Sequence, residues 1–321
     1  MTLKAKVLRA IGKYPGVHGG DLARMYETDR GNMRSPFRWF GGKSKHAERI
    51  LSFLPSGRVY VEPFCGAASL FWQKEPHPVE VLNDLHSEIV TFFRVLQDSE
   101  KVKELEYKIH WTLYSREEFV KALRMEDQEE LSDVDRAWAF YVRQNQGFSG
   151  IADSEGRWGR AFTGGAMAET TSKWITRKTL FDAWHNRLMR VQIDHCDALK
   201  CILYWDSVDT VFYLDPPYVE ATRKGVGEYK HEVSDQFHED LVDLLLSIQG
   251  NAILSGYDNG SYDRLTDAGW QKESFETTCS AARRTRSSGL QGVGIVSEAQ
   301  KRTEVLWIKG ASRQKRIFQG F

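Results

Sequence analysis

Within the 321 residues, the densest chemistry lies in Phe212-Tyr213-Leu214-Asp215-Pro216-Pro217-Tyr218. Chance odds of finding Asp-Pro-Pro-Tyr in a chain this long are on the order of one in a thousand, which argues against an incidental surface turn. Pro216 and Pro217 fix φ and remove two backbone donors, so the carbonyls around them are left as acceptors. An acid, a bare carbonyl and an aromatic ring therefore stand side by side. Such a set can hold an exocyclic amine on a flat heterocycle. Asp215 and the Pro216 carbonyl accept its hydrogens, and Tyr218 stacks on the ring.

A second set surrounds Val61-Glu62-Pro63-Phe64-Cys65-Gly66-Ala67-Ala68-Ser69. Its small residues let the backbone approach a ligand closely, and a helix expected from Ser69 to Gln73 presents free N–H groups. Asp84 stands eighteen residues beyond Gly66. An acid about 20 positions past such a turn is how nucleotide-binding sheets grip a ribose hydroxyl pair. The loop has neither the three-glycine dinucleotide fingerprint nor a phosphate-cradling Gly-Lys-Ser ending. A nucleoside ligand without phosphates fits best, and S-adenosylmethionine is one such molecule.

These residues need strand ends to hold them. Arg58–Val61 and Val79–Leu82 read as short apolar strands, and Ser87–Gln97 is amphipathic at helical spacing. Charged helices follow at Glu100–Lys108, Arg116–Met125 and Val134–Gln144, then a Gly-rich polar stretch from Gln146 to Gly165. Alternation resumes with strands at Met189–Ile193, Thr210–Leu214, Ala252–Leu254 and Glu304–Ile308, and a helix around His238–Leu246. The pattern predicts an α/β fold, a Rossmann-like and mostly parallel sheet, interrupted by an inserted helical segment. Ligands of such sheets bind at the carboxyl ends of the strands, where both sets lie. We assign 1–34 to a helical amino-terminal extension, 35–97 and 181–321 to a catalytic domain, and 98–180 to the insertion. Within the extension, Pro-Gly-Val-His-Gly-Gly-Asp-Leu-Ala-Arg is similar to the first helices of a winged helix-turn-helix, though too short to complete one.

Composition narrows the partners. The 44 Lys plus Arg balance 44 Asp plus Glu. The charges are segregated, however: residues 1–49 and 281–321 each carry a net +7, and 50–280 carry −14. Basic ends keep a nucleic-acid partner open. Without a long apolar run, no membrane partner is expected. The four cysteines lack zinc spacing and are too sparse for a disulfide scaffold, so no metal and a reducing cytoplasm are expected.

Phe64-x-Gly66, Asp84 and Asp215-Pro216-Pro217-Tyr218, in this order around an insertion, resemble the Dam-like DNA adenine N6-methyltransferases. Pro36-Phe37-Arg38-Trp39-Phe40-Gly41-Gly42-Lys43 resembles the amino-terminal motif of that class. So do Asp197, Leu254-Ser255-Gly256-Tyr257 and Thr303-Glu304-Val305-Leu306-Trp307-Ile308. The resemblance runs from about residue 35 to 309. It implies transfer of a methyl group from S-adenosylmethionine to N6 of an adenine flipped out of duplex DNA. By the same resemblance Trp39, Lys43, Phe64, Gly66, Asp84, Asp197 and Asp215 line the cofactor pocket. Trp39 lies near the cofactor's adenine and Lys43 near its methionine part; Asp84 takes the ribose hydroxyls and Asp197 the adenine edge. Asp197 can instead cap the helix that follows it.

The insertion takes the place of the family's target-recognition domain. Arg143-Gln144-Asn145-Gln146-Gly147-Phe148-Ser149-Gly150 resembles the end of its helical part, which puts Arg143 and Asn145 among DNA contacts. Where the family usually has Phe-Asn-x-Pro, this chain has Arg157-Trp158-Gly159-Arg160, so no target sequence is carried over. Arg157 and Arg160, with Arg283, Arg284 and Arg286 of a basic hydroxyl-rich stretch, suit phosphate contacts. A cognate restriction endonuclease is a further partner compatible with this class. Two other readings remain: methylation of another amine, on RNA or protein, and a non-catalytic DNA-binding regulator that keeps the fold.

Overall fold

The computed structural model describes residues 33–39, 41–126, 128, 130–148, 154–161, 167–217, 235–258, 260–278 and 301–310. Its helices are α1 (Ala47–Ser52), α2 (Ser87–Gln97), α3 (Ser99–Trp111), α4 (Arg116–Arg124), α5 (Asp133–Gln146), α6 (Glu169–Lys178), α7 (Phe181–Leu188), α8 (Ala198–Trp205), α9 (Asp235–Ser247) and α10 (Asp263–Asp267). The strands are β1 (Val59–Glu62), β2 (Val79–Asn83), β3 (Val191–Asp194), β4 (Thr210–Leu214), β5 (Asn251–Tyr257), β6 (Gln271–Thr278) and β7 (Lys301–Lys309). This mixed α/β architecture with mostly parallel strands is the Rossmann-like class read from the sequence.

The chain forms two compact units, residues 1–51 with 58–201, and 52–57 with 202–321. In the first, β1 pairs with β2 and β2 with β3, all parallel. Three parallel strand ends thereby line up in space: β1 leads into Pro63-Phe64-Cys65-Gly66, β2 into Asp84 and β3 into Cys196-Asp197. The helices of the 98–180 segment join this same unit. Among them α5 is buried along nearly its whole length, from Val134 to Gln146. A helix apolar on one stripe faces a core; one buried all round is itself core. Aromatic side chains fill much of this core. Phe92 stacks on Tyr141 at 5.7 Å between ring centroids, Phe37 meets Phe140 edge-on at 4.8 Å, and Trp184 packs against Phe181.

In the second unit β4 pairs parallel with β5, and β5–β7–β6 continue antiparallel. The register sets Leu214 opposite Leu254, so Asp215 and Ser255 follow side by side. Strand β4 is buried at every position from Thr210 to Leu214, as its unbroken apolar run requires.

The helix expected from Ser69 to Gln73 is replaced by turns. Ala68 takes φ 51° and Gly66 φ 48°, both left-handed. A left-handed alanine costs roughly 1–2 kcal/mol and breaks helical continuity. Side chains then take what a helix would have bonded. Glu62 Oε1 accepts the Phe71 N–H at 2.9 Å, and the Trp72 indole donates to the Ala67 carbonyl at 3.0 Å. The expected amino-terminal helical extension, apart from its last two residues, lies outside the described residues.

Candidate active site

Of the expected cofactor residues in the first unit, Gly66, Asp84 and Trp39 meet at the ends of β1 and β2. The Gly66 N–H donates to Asp84 Oδ2 at 2.8 Å, and the His86 N–H donates to Oδ1 at 2.9 Å. The Asp84 carboxylate is thus fixed between two backbone donors and remains half-exposed. As an acceptor-only group it suits ribose hydroxyl donors. Glycine at 66 is required twice. Its φ is left-handed, and a Cβ there would meet the Trp39 indole at 2.8 Å. Trp39 is half-buried, edge-on to Phe37 at 6.1 Å and to His86 at 5.5 Å. Phe64 is half-buried in the same loop. Lys43 is buried, and its ammonium donates to the Gly41 carbonyl at 3.2 Å.

Asn83 is the organiser that sequence reading passed over. It is fully buried, and its side-chain amide donates to the carbonyls of Pro63 at 2.9 Å and Cys196 at 3.0 Å. Its Oδ1 accepts the Cys196 N–H at 3.0 Å, and its own carbonyl accepts the Cys65 N–H at 2.9 Å. One side chain therefore ties together the ends of three strands. Its adjacency to Asp84 is the signal, but nothing in a single Asn announces a clasp. Asp197 accepts the N–H groups of Leu199 at 3.0 Å and Lys200 at 3.2 Å through Oδ1. It caps α8, as its alternative reading allowed.

In the second unit Asp215 directly follows β4, half-exposed, with Pro216 buried and Pro217 half-buried. Ser255 Oγ lies 3.0 Å from Asp215 Oδ1 as donor and 3.2 Å from the Tyr213 hydroxyl. Ser255 is fully buried, so this bond fixes the acid from beneath. The sequence motif Leu254-Ser255-Gly256-Tyr257 gives Ser255 no role by itself; the parallel register sets it beside Asp215. Tyr262 packs its ring against Gly256, 3.2 Å from where a Cβ would stand, and its hydroxyl meets His238 Nδ1 at 2.7 Å. Burial, then the nearby Asp215, push the Tyr262 hydroxyl far above its ordinary pKa, so it is a neutral group. Tyr218 lies outside the described residues.

The expected DNA contacts divide. Arg143 is buried, with one guanidinium nitrogen on Glu88 and another on Glu126. A guanidinium held by two carboxylates inside the unit has no exposed face for a phosphate. Asn145 is also buried and donates to the carbonyls of Pro36 at 3.2 Å and Tyr141 at 3.1 Å. The end of α5 is an interior polar node that ties α2, the Pro36 segment and the loop at Leu113 together. Arg160 is exposed and Arg157 half-exposed, beside Trp158. The Arg116 guanidinium lies 5.5 Å above the Trp158 ring. Arg283, Arg284 and Arg286 lie outside the described residues.

No described helix is long and apolar enough to cross a membrane. Residues 39–275 match the family model described as D12 class N6 adenine-specific DNA methyltransferase. A DNA N-6-adenine-methyltransferase of Escherichia phage P1 is 27% identical over 119 residues, 37% of this chain and 16% of that protein. A DNA adenine methylase of Vibrio cholerae is 24% identical over 192 residues, 58% of this chain and 65% of the relative. A DNA adenine methylase of Serratia marcescens is 22% identical over 275 residues, 83% and 96%. The matched region thus spans under two thirds of the first two relatives and nearly all of the third.

Proposed function

The chain belongs to the D12 class N6 adenine-specific DNA methyltransferase family, and from that premise we propose that it methylates N6 of adenine in duplex DNA, with S-adenosylmethionine as donor. The observation that most supports this reading is the acid at the end of β4: Asp215, stiffened by Pro216 and Pro217, with Oδ1 held by Ser255. The Gly66–Asp84 bond supports the choice of donor, since an oriented acceptor beside a side-chain-free turn suits a ribose.

Adenine N6 is a poor nucleophile because its lone pair is delocalised into the ring. Asp215 and the Pro216 carbonyl accept hydrogen bonds from the amine and favour a pyramidal nitrogen with an available lone pair. Bound S-adenosylmethionine supplies an electrophilic sulfonium methyl. Asp84 would hold the ribose hydroxyls, Trp39 and Asp197 would hold the cofactor adenine, and Lys43 and Phe64 would complete the wall of its pocket. The proton that N6 sheds leaves along its hydrogen bond to Asp215. The acceleration comes from positioning and electrostatics. A base inside a duplex cannot present N6 to a bound donor, so the target flips out and stacks on Tyr218.

We assign the 98–180 segment to target recognition, with Arg157, Arg160, Arg283, Arg284 and Arg286 as phosphate contacts. Arg143 and Asn145 leave that set because of their burial. Transfer of tritium from labelled S-adenosylmethionine tests the substrate class. Label is expected on duplex DNA and absent from RNA and protein. Label on RNA or protein alone would replace DNA as the substrate.

A further inference from the structure

We propose that Asp194, Cys196 and Cys201 bind one thiophilic divalent cation of the zinc type. Asp194 closes β3, Cys196 follows it in the loop, and Cys201 sits on α8. One ligand atom from each lies within 4.8 Å of the others. Zinc takes thiolate sulfur at about 2.3 Å and carboxylate oxygen at about 2.0–2.2 Å, which sets a tetrahedral sulfur–oxygen edge at roughly 3.5 Å. Cys196 Sγ and Asp194 Oδ2 stand 3.6 Å apart. Two ligands are therefore already at tetrahedral spacing. The corresponding sulfur–sulfur edge is roughly 3.8 Å, so the third must close by no more than about 1 Å.

The outer shell is also in place. The His195 N–H donates to Asp194 Oδ1 at 2.8 Å, which turns Oδ2 toward the thiols. Asn83 Oδ1 accepts the Cys196 N–H at 3.0 Å and lies 3.5 Å from its sulfur. Outer-shell partners of this kind accompany the ligands of metal sites. Asp194 and Cys196 are half-exposed, giving an ion access and leaving the fourth position to water, while Cys201 is buried. Burial, then neighbouring acids and thiols, raise both cysteine pKa values, so binding must displace thiol protons. Cysteine spacing alone does not reveal such a site, because one ligand is an aspartate two residues before Cys196.

Titrating the reduced full-length chain with cadmium, followed by its thiolate charge-transfer absorbance, is expected to saturate at one equivalent. Cys196→Ser and Cys201→Ser should each lose the band, and Asp194→Asn should weaken binding by roughly tenfold or more. Cys279→Ser should retain it. No band in the wild type, or a band that survives both loop and helix cysteine substitutions, overturns the proposal. Since Cys201→Ser alters a buried position, a second arm uses unsubstituted protein. Saturating zinc should protect Cys196 from an alkylating reagent, read by mass spectrometry, and unprotected Cys196 overturns the assignment. Neither readout involves methyl transfer.

Discussion

At the residue scale, two small details fix candidate site residues, one in each unit. The first is the Ser255 hydroxyl beneath Asp215. Hydrogen bonds to charged groups contribute about 1.5–3 kcal/mol. If Ser255 positions the acid for the transfer step, Ser255→Ala lowers kcat by roughly 10- to 100-fold with cofactor affinity unchanged. Equal losses in kcat and in cofactor affinity would instead mark Ser255 as a packing residue. The second is the left-handed Gly66 against the Trp39 indole. Gly66→Ala adds a Cβ where the ring lies and about 1–2 kcal/mol of backbone strain. It should lower thermal stability and weaken S-adenosylmethionine binding in calorimetry. Wild-type affinity in that variant would remove Trp39 from the pocket.

At the scale of elements, α7 is tied to β2 by a buried ion cluster. Glu80 is fully buried and takes both a fork from Arg187 and the ammonium of Lys74. Burial opposes charge on both partners and draws Lys74 down to about 8. At Glu80 the Arg187 hydrogen bond and the two cations outweigh burial and hold the carboxyl at about 2, below its usual 4.5. A depressed carboxyl stabilises the fold above its unfolded pKa, and that contribution is lost as pH falls from about 4.5 toward 2. Glu80→Gln strands buried cations, which costs about 3–5 kcal/mol at neutral pH. Urea midpoints measured against pH should show this loss, with a flatter acid limb in the variant. A variant as stable as wild type would show that the cluster contributes nothing.

Legibility of elements followed how one-sided each was. Ser87–Gln97 and Thr210–Leu214 were read at their observed ends, because one has a clean helical stripe and the other a continuous apolar run. Strand β6 carries no strand signal of its own: Gln271 to Glu276 are polar and mostly exposed apart from Phe275, and only pairing with β7 makes Gln271–Thr278 a strand. The helix expected after β1 failed because Ala68 turned left-handed, a conformation that local propensity gives no warning of. Candidate site residues were legible where chemistry is unusual, as in Asp215-Pro216-Pro217. Those whose role depends on register or burial, such as Asn83 and Ser255, were not. Arg143 is a case of the same kind: a basic residue in a motif reads as a contact, whereas the structure buries it against the part-buried carboxylates of Glu88 and Glu126.

For the whole molecule, zero net charge conceals a basic pair of ends and an acidic middle. If the ends and the exposed arginines of the 98–180 segment carry the DNA backbone, the logarithm of the non-specific affinity falls linearly with the logarithm of salt concentration. Fluorescence anisotropy with duplex DNA over a salt series should show that slope, and salt-insensitive binding would contradict the placement. The central claim is methyl transfer through Asp215. The most direct test is sequencing that detects N6-methyladenine in the DNA of cells expressing either the wild-type chain or Asp215→Ala. We expect the mark at a defined sequence with the wild type and its loss with the variant, whose purified form still binds S-adenosylmethionine. Equal marking by both, or no mark from folded wild-type protein, would contradict the account.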